Sequence, residues 1–169
     1  MPHATNGTSG TITGIIPPLV TPLRDTDTID REGTARLVEH VIAGGVHGVF
    51  VLGTTGEGPS LSRHLQHAFV ELVCAHVQGR VPVFVGITDP SFAESVQLAQ
   101  TAAGAGADYA VLSTPYYFPL GQEELRAYVE RVVPQCPLPV ILYNIPAMTK
   151  VTFAVETVEA LAKDTRILG

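Results

Sequence analysis

Three short segments concentrate the side chains able to hold an anion or move a proton. The first is Gly53-Thr54-Thr55-Gly56-Glu57-Gly58, two hydroxyls set among small residues. Small residues let the backbone turn sharply and present its N–H groups. Amides beside hydroxyls form a nest for a carboxylate or a phosphate. The same string also reads as a tight strand-to-helix turn capped by threonine. Glu57 is expected to be buried there, kept charged by neighbouring amides, and to orient rather than to act as an acid. The second segment, Ser113-Thr114-Pro115-Tyr116-Tyr117-Phe118-Pro119, holds two phenols between prolines. A phenol can pack and can relay a proton, so this loop reads as a relay or as packing aromatics. The third, Leu142-Tyr143-Asn144-Ile145-Pro146, sets a phenol just ahead of a turn whose φ Pro146 fixes.

Other chemistries find no footing. None of the six histidines falls in these segments, and His40, His64, His67 and His76 fall on helical patterns. There is no Ser/His/Asp set, no metal-ligand spacing and no Gly-x-Gly-x-x-Gly after a strand, so neither a metal nor a cofactor is expected. The two lysines are Lys150 and Lys163. Lys163 belongs to a helix surface, whereas Lys150 lies near enough to the third segment to bind an anion. Neither reads as a desolvated, strand-borne nucleophile. Cys74 and Cys136 form no framework or metal motif and read as reduced, buried thiols.

The elements that must position these segments alternate along the chain. Apolar runs at 14–20, 47–52, 82–86, 108–112 and 139–143, with a stub at 166–169, read as strands covered on both faces. Between them lie helical stripes, such as Leu37, Val38, Val41 and Ile42, and then Leu65, Ala68, Phe69, Leu72 and Val73. Further helices are expected around 122–133 and 153–163. Ser91 with Glu94 reads as a capping box, and Gly44-Gly45 and Gly104 to Gly106 as helix ends. Strand–helix alternation implies parallel strands with right-handed crossovers. Ala43-Gly44 leading to Gly53-Thr54 is echoed by Ala103-Gly104 leading to Ser113-Thr114. An open five-stranded sheet fits this length. So does part of a (β/α)8 barrel, whose full form needs about 250 residues. Either way, chemistry belongs at the C-terminal strand ends, where all three segments lie.

Composition bounds the remainder. The 169 residues suffice for one domain with a real core. Charged residues make up 15%, against about 25% in an average domain, which points to much buried surface in a layered fold or an oligomer. A net charge of −6 speaks against nucleic acid or anionic membrane as main partner. No apolar run is long enough to span a membrane. Residues 1–12 are expected to be a disordered tail, with 13–169 as the folded domain. The opening MPHATNGTSGT lacks the basic start and apolar stretch of a secretory leader, and a cytoplasmic location is expected.

In their order, Gly-Thr-Thr-Gly-Glu, Pro-Tyr-Tyr and Tyr-Asn-Ile-Pro resemble the dihydrodipicolinate synthase / N-acetylneuraminate lyase family. The stretch from Gly14 to Val20-Thr21-Pro22 resembles that family's first strand. The resemblance runs from Gly14 to Gly169. It implies a partial (β/α)8 TIM barrel, holding the first five βα units plus the start of the sixth strand, in a homo-oligomer. It implies lyase chemistry in which a lysine condenses with pyruvate or another 2-oxo acid as a Schiff base. A carbon–carbon bond to an aldehyde is then made or broken. By the resemblance, Thr54 and Thr55 hold the pyruvyl carboxylate and Tyr143 is the acid/base. Thr54 links Tyr143 to Tyr117, which reaches in from a neighbouring subunit, while Tyr116 inherits no role.

Three positions depart from the family pattern. Met148 stands where lysine-precursor synthases carry an arginine for the aldehyde's distal carboxylate. A thioether makes no ion pair, and one hydrogen bond to a charged group contributes about 1.5–3 kcal/mol. This speaks against aspartate semialdehyde and for a 2-keto-3-deoxy sugar acid aldolase, an N-acetylneuraminate lyase-like enzyme or another 2-oxo-acid aldolase. Leu65 stands where an acidic or amide residue is usual, with Gln66 one place later, a change expected to alter surface packing only. Finally, the family motif of small residue, apolar residue and lysine runs past Ile167-Leu168-Gly169. It places the Schiff-base lysine at the second position after Gly169, so this chain is expected to be inactive alone. A non-catalytic half-barrel for binding or assembly is the alternative.

Overall fold

A computed structural model describes residues 12–169. Residues 1–11 of the expected tail lie outside the described residues. Ile12, assigned to that tail from the sequence, is half-buried against Phe84, Tyr109 and Val111.

Four parallel strands form the centre: β3 (Val49–Val51), β4 (Val83–Gly86), β5 (Tyr109–Ser113) and β6 (Val140–Tyr143), paired in chain order. A small antiparallel pair, β1 (Leu23–Asp25) with β2 (Thr28–Ile29), precedes them. Its short polar strands carry no alternation to read in the sequence. The helices are α1 (Arg31–Ala43), α2 (Arg63–Val77), α3 (Phe92–Ala105), α4 (Gln122–Val132), α5 (Pro146–Thr149) and α6 (Val155–Leu161).

The edges of this sheet correct two expected strands. Residues 14–20 are not a regular strand. They still run along β3: Leu19 N–H donates to Phe50 O at 2.8 Å and Phe50 N–H to Pro17 O at 3.0 Å, with one bridge at Pro18. Pro17 and Pro18 have no N–H to give to a ladder, so the pairing stays broken. Residues 166–169 likewise form a single bridge, Ile167 to Val140, although Leu142 N–H reaches Gly169 O at 2.7 Å.

Strand order decides between the two architectures left open by the sequence. A doubly wound sheet reverses its order and puts helices on both faces. Here the order simply follows the chain, and neighbouring helices pack in the same sequence. Side chains alternate between two apolar layers, as strand geometry requires. Val49, Val51, Val83, Val85, Ala110, Leu112 and Val140 meet the helices, including Phe69 and Val73 of α2. Phe84, Tyr109 and Val111 face the other way, with Phe50, Ile141 and Tyr143 packed beside them. Phe84 stacks on Tyr109 at 4.6 Å. This is the wall of a partial barrel, one face against helices and one lining the interior.

Helix ends follow local chemistry. Asp30 Oδ1 accepts from Gly33 N–H at 3.0 Å and Ser62 Oγ from Leu65 N–H at 3.3 Å, opening α1 and α2. Gly44 and Gly106 close α1 and α3 as expected, Gly106 with φ +90°. The capping box at α3 is a correction. Ser91 is its N-cap residue, but its side chain caps nothing. Glu94 instead pairs with Arg63 at 2.8 Å, and Ser91 N–H donates to Asp89 Oδ1 at 2.7 Å. A cross-helix cation and a nearer carboxylate take the two groups the box needs.

Both cysteines are free and buried. Burial pushes the Cys74 thiol up to about 12, with Asp108 adding to the rise, and pushes Cys136 up as well. Since the thiolate is the nucleophile, Cys74 should carry about a thousandfold less of it at neutral pH than a free thiol. Iodoacetamide is expected to leave both residues unlabelled in the native protein and to label both in denaturant, read by intact mass. Rapid native labelling would contradict the packing.

Candidate active site

The C-terminal ends of β3 to β6 open on one cavity of about 310 Å³. Its construction begins at Leu52, just past β3, a buried leucine with φ +58°. A left-handed leucine costs on the order of 1–3 kcal/mol, and here it bends the chain back over the strand ends. Two glycines make room for its carbonyl. A Cβ at Gly58 would lie 2.2 Å from Leu52 O, and one at Gly86 would lie 2.6 Å away.

The Gly53 to Gly58 turn is closed by its own backbone. Gly56 N–H donates to Gly53 O at 3.1 Å, and Glu57 N–H to Thr54 O at 3.1 Å. From outside, Thr21 Oγ1 donates to Gly56 O at 2.7 Å and Gln66 Nε2 to Gly58 O at 2.9 Å. Gln66 therefore braces the loop, and Leu65 is a core residue, 2% exposed. The expectation that this pair alters only surface packing is corrected: a position fixed by helix phase turns Leu65 inward and Gln66 onto the loop. Glu57 is also corrected. It is exposed, at φ +53°, on the wall of the cavity.

Thr54 and Tyr143 both line the cavity. Thr54 is exposed at the loop tip, and its N–H meets no backbone acceptor among the described residues. Thr55 is exposed and lies outside the lining. Tyr143, the last residue of β6, is half-buried, edge-on to Phe50 at 6.0 Å. Tyr117 is 73% exposed, packs edge-on against Phe118 and lies outside the lining. Its neighbour Tyr116 lines the cavity instead, its phenol raised by burial and by the charge of Asp89. Among the described residues no hydrogen bond joins Thr54, Tyr143 and Tyr117. One chain brings Thr54 and Tyr143 to a common space and leaves Thr55 and Tyr117 turned outward.

The turn after β6 forms the facing rim. Pro146 opens α5, and Thr149, 4% exposed, anchors it by donating to Val151 O at 3.1 Å. Asn144 Oδ1 accepts from Phe153 N–H at 3.2 Å. Thr114, the echo of Thr54, is 1% exposed and donates to Val151 O at 3.3 Å. The echoed residues therefore do different work, one in the site and one bracing it. Met148 lies on the cavity rim, 58% exposed. Lys150 is not part of the lining. Its Nζ donates to Ala147 O at 2.9 Å, which corrects the expectation that it serves the rim as an anion site.

Of two further cavity residues, Thr88 is absent from the three segments and Ser113 opens the second of them without a role of its own. Thr88 and Ser113 lie at the ends of neighbouring strands, and Thr88 Oγ1 accepts from Ser113 N–H at 2.7 Å. The period-2 alternation of β4, carried from Phe84 through Gly86 to residue 88, is the signal that points to Thr88. The lining holds no cation and no histidine, and Glu57 is its sole carboxylate. No group of His, Cys, Asp or Glu among the described residues converges as metal ligands, and no helix among them is long and apolar enough to cross a membrane.

A parallel sheet laid out in chain order, with hydroxyls and a phenol at its C-terminal ends, defines a barrel protein of the (β/α)8 class. Residues 11–169 match the sequence profile described as the dihydrodipicolinate synthetase family, and the chain belongs to that family. It is 38% identical over 156 residues to the 4-hydroxy-tetrahydrodipicolinate synthase of Phenylobacterium zucineum, covering 92% of this chain and 53% of that protein. The solved dihydrodipicolinate synthase of Bacteroides thetaiotaomicron superposes with a TM-score of 0.87 at 53% identity, covering 91% of this chain and 52% of that one. Escherichia coli YagE, named a putative 2-dehydro-3-deoxy-D-gluconate aldolase, is 38% identical. Its structure in complex with pyruvate superposes with a TM-score of 0.87, covering 91% of this chain and 52% of that one. The chain spans about half the length of the curated relatives it matches.

Proposed function

We propose that this chain carries the 2-oxo-acid side of a Schiff-base lyase site. The observation that carries the reading is the shared cavity. Thr54 on its exposed turn and Tyr143 at the end of β6 face one space, and YagE has been solved with pyruvate. In this reading, free amides and hydroxyls of Thr54 and Thr55 hold the pyruvate carboxylate as an anion nest. The Tyr143 phenol gives and takes the proton at the reacting carbon. Thr54 passes it on to Tyr117 of a neighbouring copy in a homo-oligomer, which accounts for a tyrosine turned away from its own cavity. Met148 on a rim without cations favours an aldehyde with no distal carboxylate.

The imine itself needs a lysine amine in the cavity. The two lysines of this sequence do not supply it: Lys150 is bonded to Ala147 O outside the lining, and Lys163 lies beyond α6 at the surface. The 169-residue chain is therefore expected to bind pyruvate without condensing with it. Saturation-transfer NMR should show the pyruvate methyl in contact with the protein. Pyruvate with borohydride should leave the intact mass unchanged. A stable adduct on this chain would overturn the inactivity, and absence of saturation transfer would overturn the pyruvate site.

A further inference from the structure

We propose that Thr88 and Ser113 form a subsite that recognises a hydroxyl group on the aldehyde partner. The inference rests on the lyase reading of this cavity and deepens it to the chemical class of the second substrate.

The two hydroxyls are not free rotors. Thr88 Oγ1 accepts from Ser113 N–H at 2.7 Å and from Ser113 Oγ at 3.2 Å. A hydroxyl oxygen has two lone pairs and one proton, so both acceptor sites of Thr88 are taken. Its own O–H is the group left over, and no acceptor for it is present among the described residues. Ser113 is the converse. Its proton is committed to Thr88 Oγ1, with Thr114 O a longer alternative at 3.5 Å, so its lone pairs remain. The pair thus offers the cavity one donor and one acceptor 3.2 Å apart.

That pattern fits an alcohol. A carbinol accepts from Thr88 and donates to Ser113, satisfying all three hydroxyls. A carboxylate has only lone pairs and would face those of Ser113. The surroundings agree, because the lining has no cation and its rim is Ile145 and Met148. The position follows from register: Ser113 is paired with Tyr143 across β5 and β6, and adjacent strands lie about 4.8 Å apart. The pair and Tyr143 therefore line the same cavity from neighbouring strands. The substrate class is a neutral hydroxy aldehyde.

The test compares probes that differ in hydroxyls and charge on the 169-residue chain. D-glyceraldehyde, propanal and succinic semialdehyde are titrated by NMR chemical shift. Glyceraldehyde is expected to bind at least about fivefold more tightly than propanal and than succinic semialdehyde. In Thr88→Val the preference over propanal should fall below about twofold, and in Thr88→Ser it should persist. Thr88→Val also leaves the Ser113 N–H without its acceptor, so if that variant fails to fold, the wild-type comparison of the three probes decides alone. Equal binding of glyceraldehyde and propanal, a preference for the semialdehyde, or a preference surviving in folded Thr88→Val would overturn the subsite. Loss of pyruvate contact with the glyceraldehyde preference intact would instead overturn the pyruvate reading.

Discussion

Alanine at Gly58 is expected to destabilise the protein by about 3–5 kcal/mol, at the upper end of what one substitution does. The reason is backbone against backbone. The new Cβ would lie 2.2 Å from Leu52 O, 2.8 Å from its carbonyl carbon and 3.1 Å from its Cα. A flexible side chain could swing away, but a peptide group must move as a unit. Leu52 has little freedom to move, since it already holds φ +58° and Gly86 crowds the same carbonyl from β4. The loop would have to lift off the strand ends, and Thr54 would leave the cavity with it. Gly104→Ala is the matched control. It lies inside α3 with nothing within 4 Å of a built Cβ, so it should stabilise by up to about 1 kcal/mol through helix propensity. Urea midpoints of the two variants should move in opposite directions. Equal midpoints would mean that the close approach at Leu52 is not what shapes the loop.

The second large effect is expected from Met148→Arg. Met148 sits on the cavity rim, and no cation lines that space. A guanidinium placed there supplies two parallel donors for a carboxylate. The site is 58% exposed, so solvent screens the pair and holds its gain to the low end of the range for charged hydrogen bonds. Binding of succinic semialdehyde should strengthen about tenfold, equivalent to about 1.4 kcal/mol, and the gain should shrink as salt is raised. Propanal should be unaffected, because it has nothing to pair with the new charge. An unchanged semialdehyde titration would show that the residue 148 side chain does not reach the second substrate.

Much of the architecture was legible because its signals are local. Short apolar runs at 47–52, 82–86 and 108–112 read as strands buried on both faces, and α2 announces itself through Leu65, Phe69, Leu72 and Val73. Gly45 and Gly106 take positive φ at the ends of α1 and α3, a conformation that suits glycine wherever the neighbours lie. Misreadings cluster where a group had more than one suitor. Glu94 lost its capping role to Arg63 on another helix. Lys150 reads as a rim cation until its Nζ is seen on Ala147 O. Tyr116 and Tyr117 are adjacent in a proline-bounded loop where strand parity no longer operates, so sequence order gives no clue to which faces its own cavity.

By itself the sequence determined the strand–helix alternation, the three candidate segments at the strand ends and their family, because periodicity, turn residues and motif order are properties of neighbours along a chain. Only the tertiary structure decided that the sheet runs in chain order with one helix-covered face, since pairing joins residues some thirty positions apart. It alone turned Glu57 outward and set Gln66 beneath the loop. It also matched the lone pairs of Thr88 to the proton of Ser113, because a hydroxyl's role as donor or acceptor depends on what lies within about 3 Å of it, and that is set by the fold.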